Sequence, residues 1–313
     1  MPSTRTTVRS DLQGLPALDV VVIGESLVDV VERNGRTEVL PGGSPLNVAV
    51  GLARLGRETA LVSRLADDEN GRIVRRHLDE SHVRPDLIAL SSRTSSARAT
   101  LADDGSATYH FDITWELDET TALPACRLVH TGSIGSWMAP GTDRVHALLA
   151  ARPTGVIATF DPNIRPSLID NRQAAVARIE ELASLVDLVK LSDEDAAWLY
   201  PKESPEAVLR RLLDLGPAVA VMTQGGAGAL ALSAGARVEL PAATVDVVDT
   251  IGAGDAFMSG LIDAWLAADP SVNRTSSAAV QALLGRGMAT GALTVARAGA
   301  NPPWRHELDA YDK

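Results

Sequence analysis

The sequence predicts an α/β protein built on a doubly wound, mainly parallel sheet, with a small β flap set apart from it. Three observations carry this expectation. Strand-length apolar runs alternate with helix-period stretches, two hairpin signals interrupt that alternation, and a glycine-rich heptapeptide late in the chain runs straight into a helix.

Taken in order, residues 18–23, 60–63, 128–131, 156–160, 185–190 and 219–223 are the apolar runs that read as buried strands. Between them, residues 45–55, 71–80, 142–150, 173–183 and 206–213 have helical periodicity. The Ser44-Pro45 start and the Gly56 stop give the first of these helices good cap chemistry. Alternation of this kind implies parallel strands joined by helical crossovers, and in such sheets ligands bind at the carboxyl ends of the strands. Two hairpins break the rhythm. Asn34-Gly35 joins residues 28–33 to 37–40, and Asp103-Asp104-Gly105 joins 97–102 to 107–113. Together they predict a β lid formed by about 28–41 and 96–114, a device for keeping water from a strand-end crevice. Residues 1–17 read as a flexible N-terminal tail and 18–313 as one domain carrying that lid.

Composition narrows the function classes. The net charge of -11 argues against nucleic acid or an anionic membrane as the main partner, but leaves room for a nucleotide held by a few local donors. Cys126 is the only cysteine, so neither an intramolecular disulfide nor a cysteine cluster for zinc is expected, which fits a reducing cytoplasm. The run at 18–23 is too short for a secretory or membrane-spanning segment. None of the three lysines, Lys190, Lys202 and Lys313, follows a Gly-x-x-x-x-Gly frame, so a Walker-type phosphate loop is excluded.

The heptapeptide Asp249-Thr250-Ile251-Gly252-Ala253-Gly254-Asp255 precedes an amphipathic pattern at 256–266. Its glycines allow close approach of a ligand, and the amides of Ala253, Gly254 and Asp255 at a helix N-terminus would suit phosphate oxygens. Asp255 is then placed to accept the proton of an attacking hydroxyl. The plainer alternative is a glycine-rich turn with Asp255 as a helix cap. A second glycine pair, Gly42-Gly43, precedes the helix carrying Asn47, whose amide can donate and accept toward a polyhydroxyl ligand. Asp29 closes Gly24-Glu25-Ser26-Leu27-Val28-Asp29 at the end of the first strand. Taken singly, Asn47 and Asp29 would as readily be solvated surface groups. His110, His130, Trp115 and Trp137 read as packed or surface residues.

These segments resemble the two signatures of the ribokinase (PfkB) family of carbohydrate kinases, one from Gly42 to Gly56 and one from Asp249 to Gly260. Further markers follow in order: Asp67-Asp68-x-x-Gly71, Asp161-Pro162-Asn163, Thr223-x-Gly225-x-x-Gly228 and Arg297-x-Gly299-Ala300. The likeness spans residues 18–303 and implies a ribokinase-like fold. It implies that Asp255 is the catalytic base and that Gly252, Ala253 and Gly254 form the anion hole. Asp29, Gly43 and Asn47 match contacts to sugar hydroxyls, and Thr223, Gly225 and Gly228 match the loop that receives ATP. The family's Asn-x-x-Glu motif, linked to Mg²⁺, is Ser192-Asp193-Glu194-Asp195 here, which gives the role to Asp195 with Glu194 as substitute. Backbone oxygens around Asp249 and Ile251 match a monovalent-cation site, for K⁺.

Within the family, Gly43-Ser44-Pro45-Leu46-Asn47, Asp161-Pro162-Asn163-Ile164-Arg165-Pro166 and the Arg297 to Pro303 segment look like the fructokinase branch. Leu46, where fructokinases usually carry Ala, is expected to narrow the pocket. The lid stretch Tyr109-His110-Phe111-Asp112 offers an acid where kinases of 2-keto-3-deoxygluconate carry an Arg, which favours a neutral ketose. Arg165 is the nearest cation outside the lid and a candidate substrate contact, and Arg98 could swing into the pocket. The expectation is therefore phosphoryl transfer from ATP to fructose, giving fructose 6-phosphate, by a cytoplasmic enzyme that forms a homodimer through the lid. The rivals are a kinase of 2-keto-3-deoxygluconate, another sugar or a nucleoside, and a catalytically silent binding protein of the same fold.

Overall fold

A computed structural model of the chain describes residues 17–33, 36–101 and 107–311. The expected hairpin turns at Asn34-Gly35 and Asp103-Asp104-Gly105, and all but the last residue of the tail expected at 1–17, lie outside the described residues.

The chain opens with β1 (Leu18–Ile23), then the antiparallel pair β2 (Leu27–Arg33) and β3 (Arg36–Gly42), then α1 (Ser44–Arg54). Next come β4 (Thr59–Leu65), α2 (Glu69–Glu80), β5 (Ile88–Leu90), and the second antiparallel pair β6 (Ser95–Leu101) and β7 (Ala107–Asp112). β8 (Cys126–Gly132), α3 (Ser133–Trp137), α4 (Gly141–Ala150), β9 (Ile157–Asp161) and α5 (Arg172–Ala183) continue the alternation. They lead to β10 (Leu188–Ser192), α6 (Asp193–Leu199), α7 (Pro205–Leu215), β11 (Val219–Thr223), β12 (Ala229–Ser233) and β13 (Ala236–Leu240). The last helices are α8 (Ala253–Ala267), α9 (Ser277–Val295) and α10 (Arg305–Tyr311).

Nine strands form the main sheet in the order β13-β12-β11-β10-β9-β8-β1-β4-β5. All neighbours are parallel except along β11-β12-β13, where the chain returns by hairpins. The sheet is buried on both faces, as parallel sheets are. On β1, Val20 and Val22 enter one core with α1, α8 and α9, while Val21 and Ile23 enter the other with α4, α5 and α7. The expected flap is a separate four-stranded sheet, β3-β2-β6-β7, in which β2 and β6 pair in parallel and join the two hairpins. Among the described residues no helix is long and apolar enough to cross a membrane.

Two expectations change. The helix after the heptapeptide starts earlier than the pattern at 256–266, so Ala253, Gly254 and Asp255 are its first turn. It is also not amphipathic: nearly every residue from Asp255 to Leu266 is buried, because α9 and α1 cover the sides that the sheet does not.

Candidate active site

The site begins where two helix N-termini meet. Gly252 is the residue before α8 and takes the left-handed conformation, φ 73°. A side chain there would bring its Cβ within 2.6 Å of the Ala300 Cβ, so both backbone angle and space require glycine. The Ala253 amide turns back to the Thr250 carbonyl at 3.2 Å, which leaves the Gly254 and Asp255 amides as unpaired first-turn donors of α8. Asp255, only 7% exposed, accepts hydrogen bonds from the Ser44 hydroxyl at 2.6 Å and the Asn47 amide at 2.8 Å, one on each oxygen. Both partners sit in the first turn of α1, so the two signature segments interlock through one carboxylate.

A cleft of about 720 Å³ opens over this junction, between the ends of the main-sheet strands and the small sheet. Glu25, Asp29, Gly43, Asn47 and Arg165 line one end of it. Asp29 does not close β1, as expected from sequence; it is the third residue of β2 and belongs to the lid sheet. Burial raises its pKa, with Arg165 opposing and Asp255 adding to the rise, so these three groups share one electrostatic field. Gly43, at φ 106°, lies so near the Glu25 carbonyl that a Cβ would come to 2.9 Å. The Arg165 guanidinium is tethered by the Asn163 side chain at 2.7 Å and the Ile164 carbonyl at 3.1 Å.

The lid corrects two sequence expectations. Ala97 and Phe111, paired across β6 and β7, face the cleft, so Arg98, His110 and Asp112 fall on the opposite face by strand alternation. Asp112 is paired there with Arg93 and cannot repel a substrate carboxylate, and Arg98 does not line the cleft. Leu46 does not narrow the pocket either: it is fully buried in the hydrophobic core.

At the other end of the cleft, Thr223 ends β11, and Gly225 (φ 51°) and Gly228 (φ 106°) form the turn to β12. A Cβ on Gly228 would strike the Leu240 carbonyl at 2.0 Å. Asp195 lines this end, but its oxygens are occupied by the Ile164 amide (2.8 Å) and the Ser192 amide (3.0 Å), the latter within a capping box of α6. Glu194 is exposed at the same rim. Asp249 accepts from the Ile251 and Gly299 amides at 3.0 and 2.9 Å, which ties the heptapeptide to the Arg297-Ala298-Gly299-Ala300 segment. No cluster of three or more His, Cys, Asp or Glu side chains able to hold a metal occurs among the described residues.

One residue escaped the sequence reading. Lys190, the middle residue of β10, is buried and donates to Asp161 at 2.7 Å. Its ammonium lies 3.1 Å from where a Cβ on Gly254 would stand, at the mouth of α8. Burial disfavours its charge, yet Asp161, Asp195 and Asp255 raise its pKa overall and hold it as a cation.

Comparison with known proteins identifies the family. The pfkB family carbohydrate kinase model matches residues 17–307. The chain is 34% identical over 260 residues to a fructokinase of Rhizobium leguminosarum bv. trifolii, covering 78% of each chain. Among solved structures it is similar to aminoimidazole riboside kinase from Salmonella enterica, complexed with aminoimidazole riboside and an ATP analog. That pair has TM-score 0.83 and 27% identity, over 94% of this chain and 100% of the other. A fructokinase from Vibrio cholerae O395, bound to fructose, ADP and a calcium ion, gives TM-score 0.80 and 26% identity over 95% and 99% of the two chains. The chain belongs to the PfkB family of carbohydrate kinases, phosphotransferases that use ATP and a sugar hydroxyl as acceptor.

Proposed function

We propose that this kinase transfers the γ-phosphoryl group of ATP to the primary O6 hydroxyl of fructose, forming fructose 6-phosphate. The observation that carries the reading is Asp255, held by Ser44 and Asn47 at the point where the two ends of one cleft meet. Two of the carboxylate's lone-pair positions are taken by these donors, and the rest can accept the proton of an attacking hydroxyl. The hydroxyl oxygen then bonds to the γ-phosphorus in line as the bond to the β-phosphate oxygen breaks, and ADP leaves with that electron pair.

Charge developing on the equatorial oxygens is met by the Gly254 and Asp255 amides, the N-terminal end of α8 and the Lys190 ammonium. Thr223, Gly225 and Gly228 take the nucleotide, while Asp29, Gly43, Asn47 and Arg165 take the sugar. Mg²⁺ arriving with ATP would neutralise its phosphates, with Glu194 at the rim and Asp195 behind it holding the ion's water shell. Backbone oxygens near Asp249 and Ile251, braced by the Gly299 contact, would take K⁺. The sheet β3-β2-β6-β7 acts as the lid and as the surface through which two copies pair. Use of ATP and a lone cysteine suit the cytoplasm.

A neutral ketose is favoured over a sugar acid because the sugar end carries the carboxyl groups of Glu25 and Asp29 against the single, already tethered Arg165. The intact Asp255 and its unpaired helix-end amides speak for an active enzyme over a silent binding protein. The test is steady-state kinetics with Mg-ATP on fructose, 2-keto-3-deoxygluconate and a riboside. Fructose should lead the acid in kcat/KM by at least ~10-fold, or ~1.4 kcal/mol. A preference for the acid that disappears in Arg165→Ala would overturn fructose as substrate.

A further inference from the structure

The wall of the sugar end opposite Asp29 is the turn from β8 into α3, where Ser133 and Ile134 line the cleft. Ser133 is left-handed at φ 50°, a conformation that a non-glycine residue holds only when its surroundings fix it. What fixes the turn is Gly135, gripped from two sides. Its amide donates to the Glu25 Oε2 at 2.7 Å, and its carbonyl accepts from the Trp115 indole at 3.0 Å. Glu25 and Trp115 are 2% and 3% exposed. Gly135 cannot carry a side chain, since its Cβ would come to 2.8 Å from the Gly24 Cα. Trp115 follows the returning lid strand β7, whose Phe111 faces the cleft, and the Trp115 carbonyl accepts from the Gly141 amide at 3.3 Å.

We propose that Glu25 is a positioning residue for sugar binding: through Gly135 it sets the wall of the sugar chamber and, with Trp115, links that wall to the lid. The inference rests on the sugar-kinase reading and adds a residue to which the sequence assigned no role. Burial also pushes the Glu25 carboxyl up to about 7, with the Gly135 amide, the Ser133 hydroxyl and Arg165 opposing the rise. The neutral acid and the carboxylate both present an acceptor oxygen to Gly135, so charge is not what the wall requires.

The experiment compares Glu25→Ala, Glu25→Gln and Trp115→Phe with wild type for fructose KM, ATP KM, kcat and thermal midpoint. Glu25→Ala should raise fructose KM by about 10-fold or more, the loss of one buried hydrogen bond and the wall it holds, with ATP KM within about threefold. Glu25→Gln keeps an acceptor and should stay within about threefold of wild type, and Trp115→Phe should raise fructose KM alone. A lowered thermal midpoint with unchanged fructose KM in Glu25→Ala overturns the proposal, as does Glu25→Gln failing as badly as Glu25→Ala. If Glu25→Ala does not fold, an unchanged fructose KM in Trp115→Phe overturns it. Wild-type turnover separates this from the functional reading: a wild type inactive on fructose strikes the substrate assignment, and the same ratios on the sugar it does use decide Glu25.

Discussion

Replacing Asp255 by Asn changes one proton acceptor and almost nothing else. The Asn47 amide N–H goes on donating toward this side chain when the new amide turns its oxygen to Asn47, 2.8 Å away in the native pair. The new NH₂ then faces the Ser44 hydroxyl, which can rotate to accept. Both contacts survive as neutral hydrogen bonds, so the structural cost is about 1 kcal/mol per bond, the margin of a charge-assisted over a neutral pair. The thermal midpoint should fall by only a few degrees. Catalysis should fall much further, because an amide oxygen is not basic enough to take the proton of the attacking hydroxyl. The expected loss in turnover is ~10²–10⁴, or about 3–5 kcal/mol of barrier. Coupled ADP release gives the turnover and calorimetric titration gives ATP affinity, which should change by less than about threefold because Asp255 is bonded to Ser44 and Asn47 of α1 and not to the Thr223 to Gly228 turn. Turnover within about threefold of wild type would remove Asp255 as the base and refute the reasoning.

Further outcomes follow from the charges and hydrogen bonds of the same cleft. Lys190→Met strands the Asp161 carboxylate in the interior, so denaturant unfolding should report a loss of about 3–5 kcal/mol, and ATP turnover should fall with it; unchanged stability would mean that the pair is not buried as described. Asp29→Ala and Asn47→Ala should each weaken use of the sugar by ~1–3 kcal/mol in kcat/KM and leave ATP binding nearly untouched, whereas equal damage to both substrates would assign them to the fold. Glu25, raised from 4.5 to about 7, holds its proton more tightly in the folded than in the unfolded chain. Its contribution is therefore full below the unfolded value and is lost as pH rises through the folded one. Across that window Glu25→Gln should gain about 3 kcal/mol relative to wild type, and a pH-independent difference in unfolding free energy would contradict it.

Much of this was legible in the sequence for a physical reason. Strands buried on both faces need unbroken apolar runs, so residues 18–23 and 219–223 coincide with β1 and β11. The 185–190 run begins early because Leu185 and Val186 pack into the core while still in a turn, with β10 starting only at Leu188. α9 gave little periodic signal, since its small residues exist to let α8 approach: a Cβ on Gly260 would meet the Arg286 carbonyl at 2.6 Å, and one on Gly287 the Phe257 ring at 3.1 Å. At the site, glycine spacing marked the two turns that line the cleft, and the interlock of Ser44 and Asn47 with Asp255 joined segments far apart in the chain. Strand alternation decided what spacing alone had left open: it turned Asp112 and Arg98 away from the cleft and Phe111 toward it. Lys190 stayed hidden because its partner Asp161 lies on the neighbouring strand β9, a pairing that no local pattern encodes.

The central claim is the transfer of the γ-phosphoryl group to the primary hydroxyl of fructose under Asp255. Phosphorus and carbon NMR of the product made from fructose and Mg-ATP tests it most directly. A single product phosphorylated at O6 is expected, formed one for one with ADP and made ~10²–10⁴-fold more slowly by the Asp255→Asn enzyme. A product phosphorylated at another position, or ADP formed without any sugar phosphate, would contradict it.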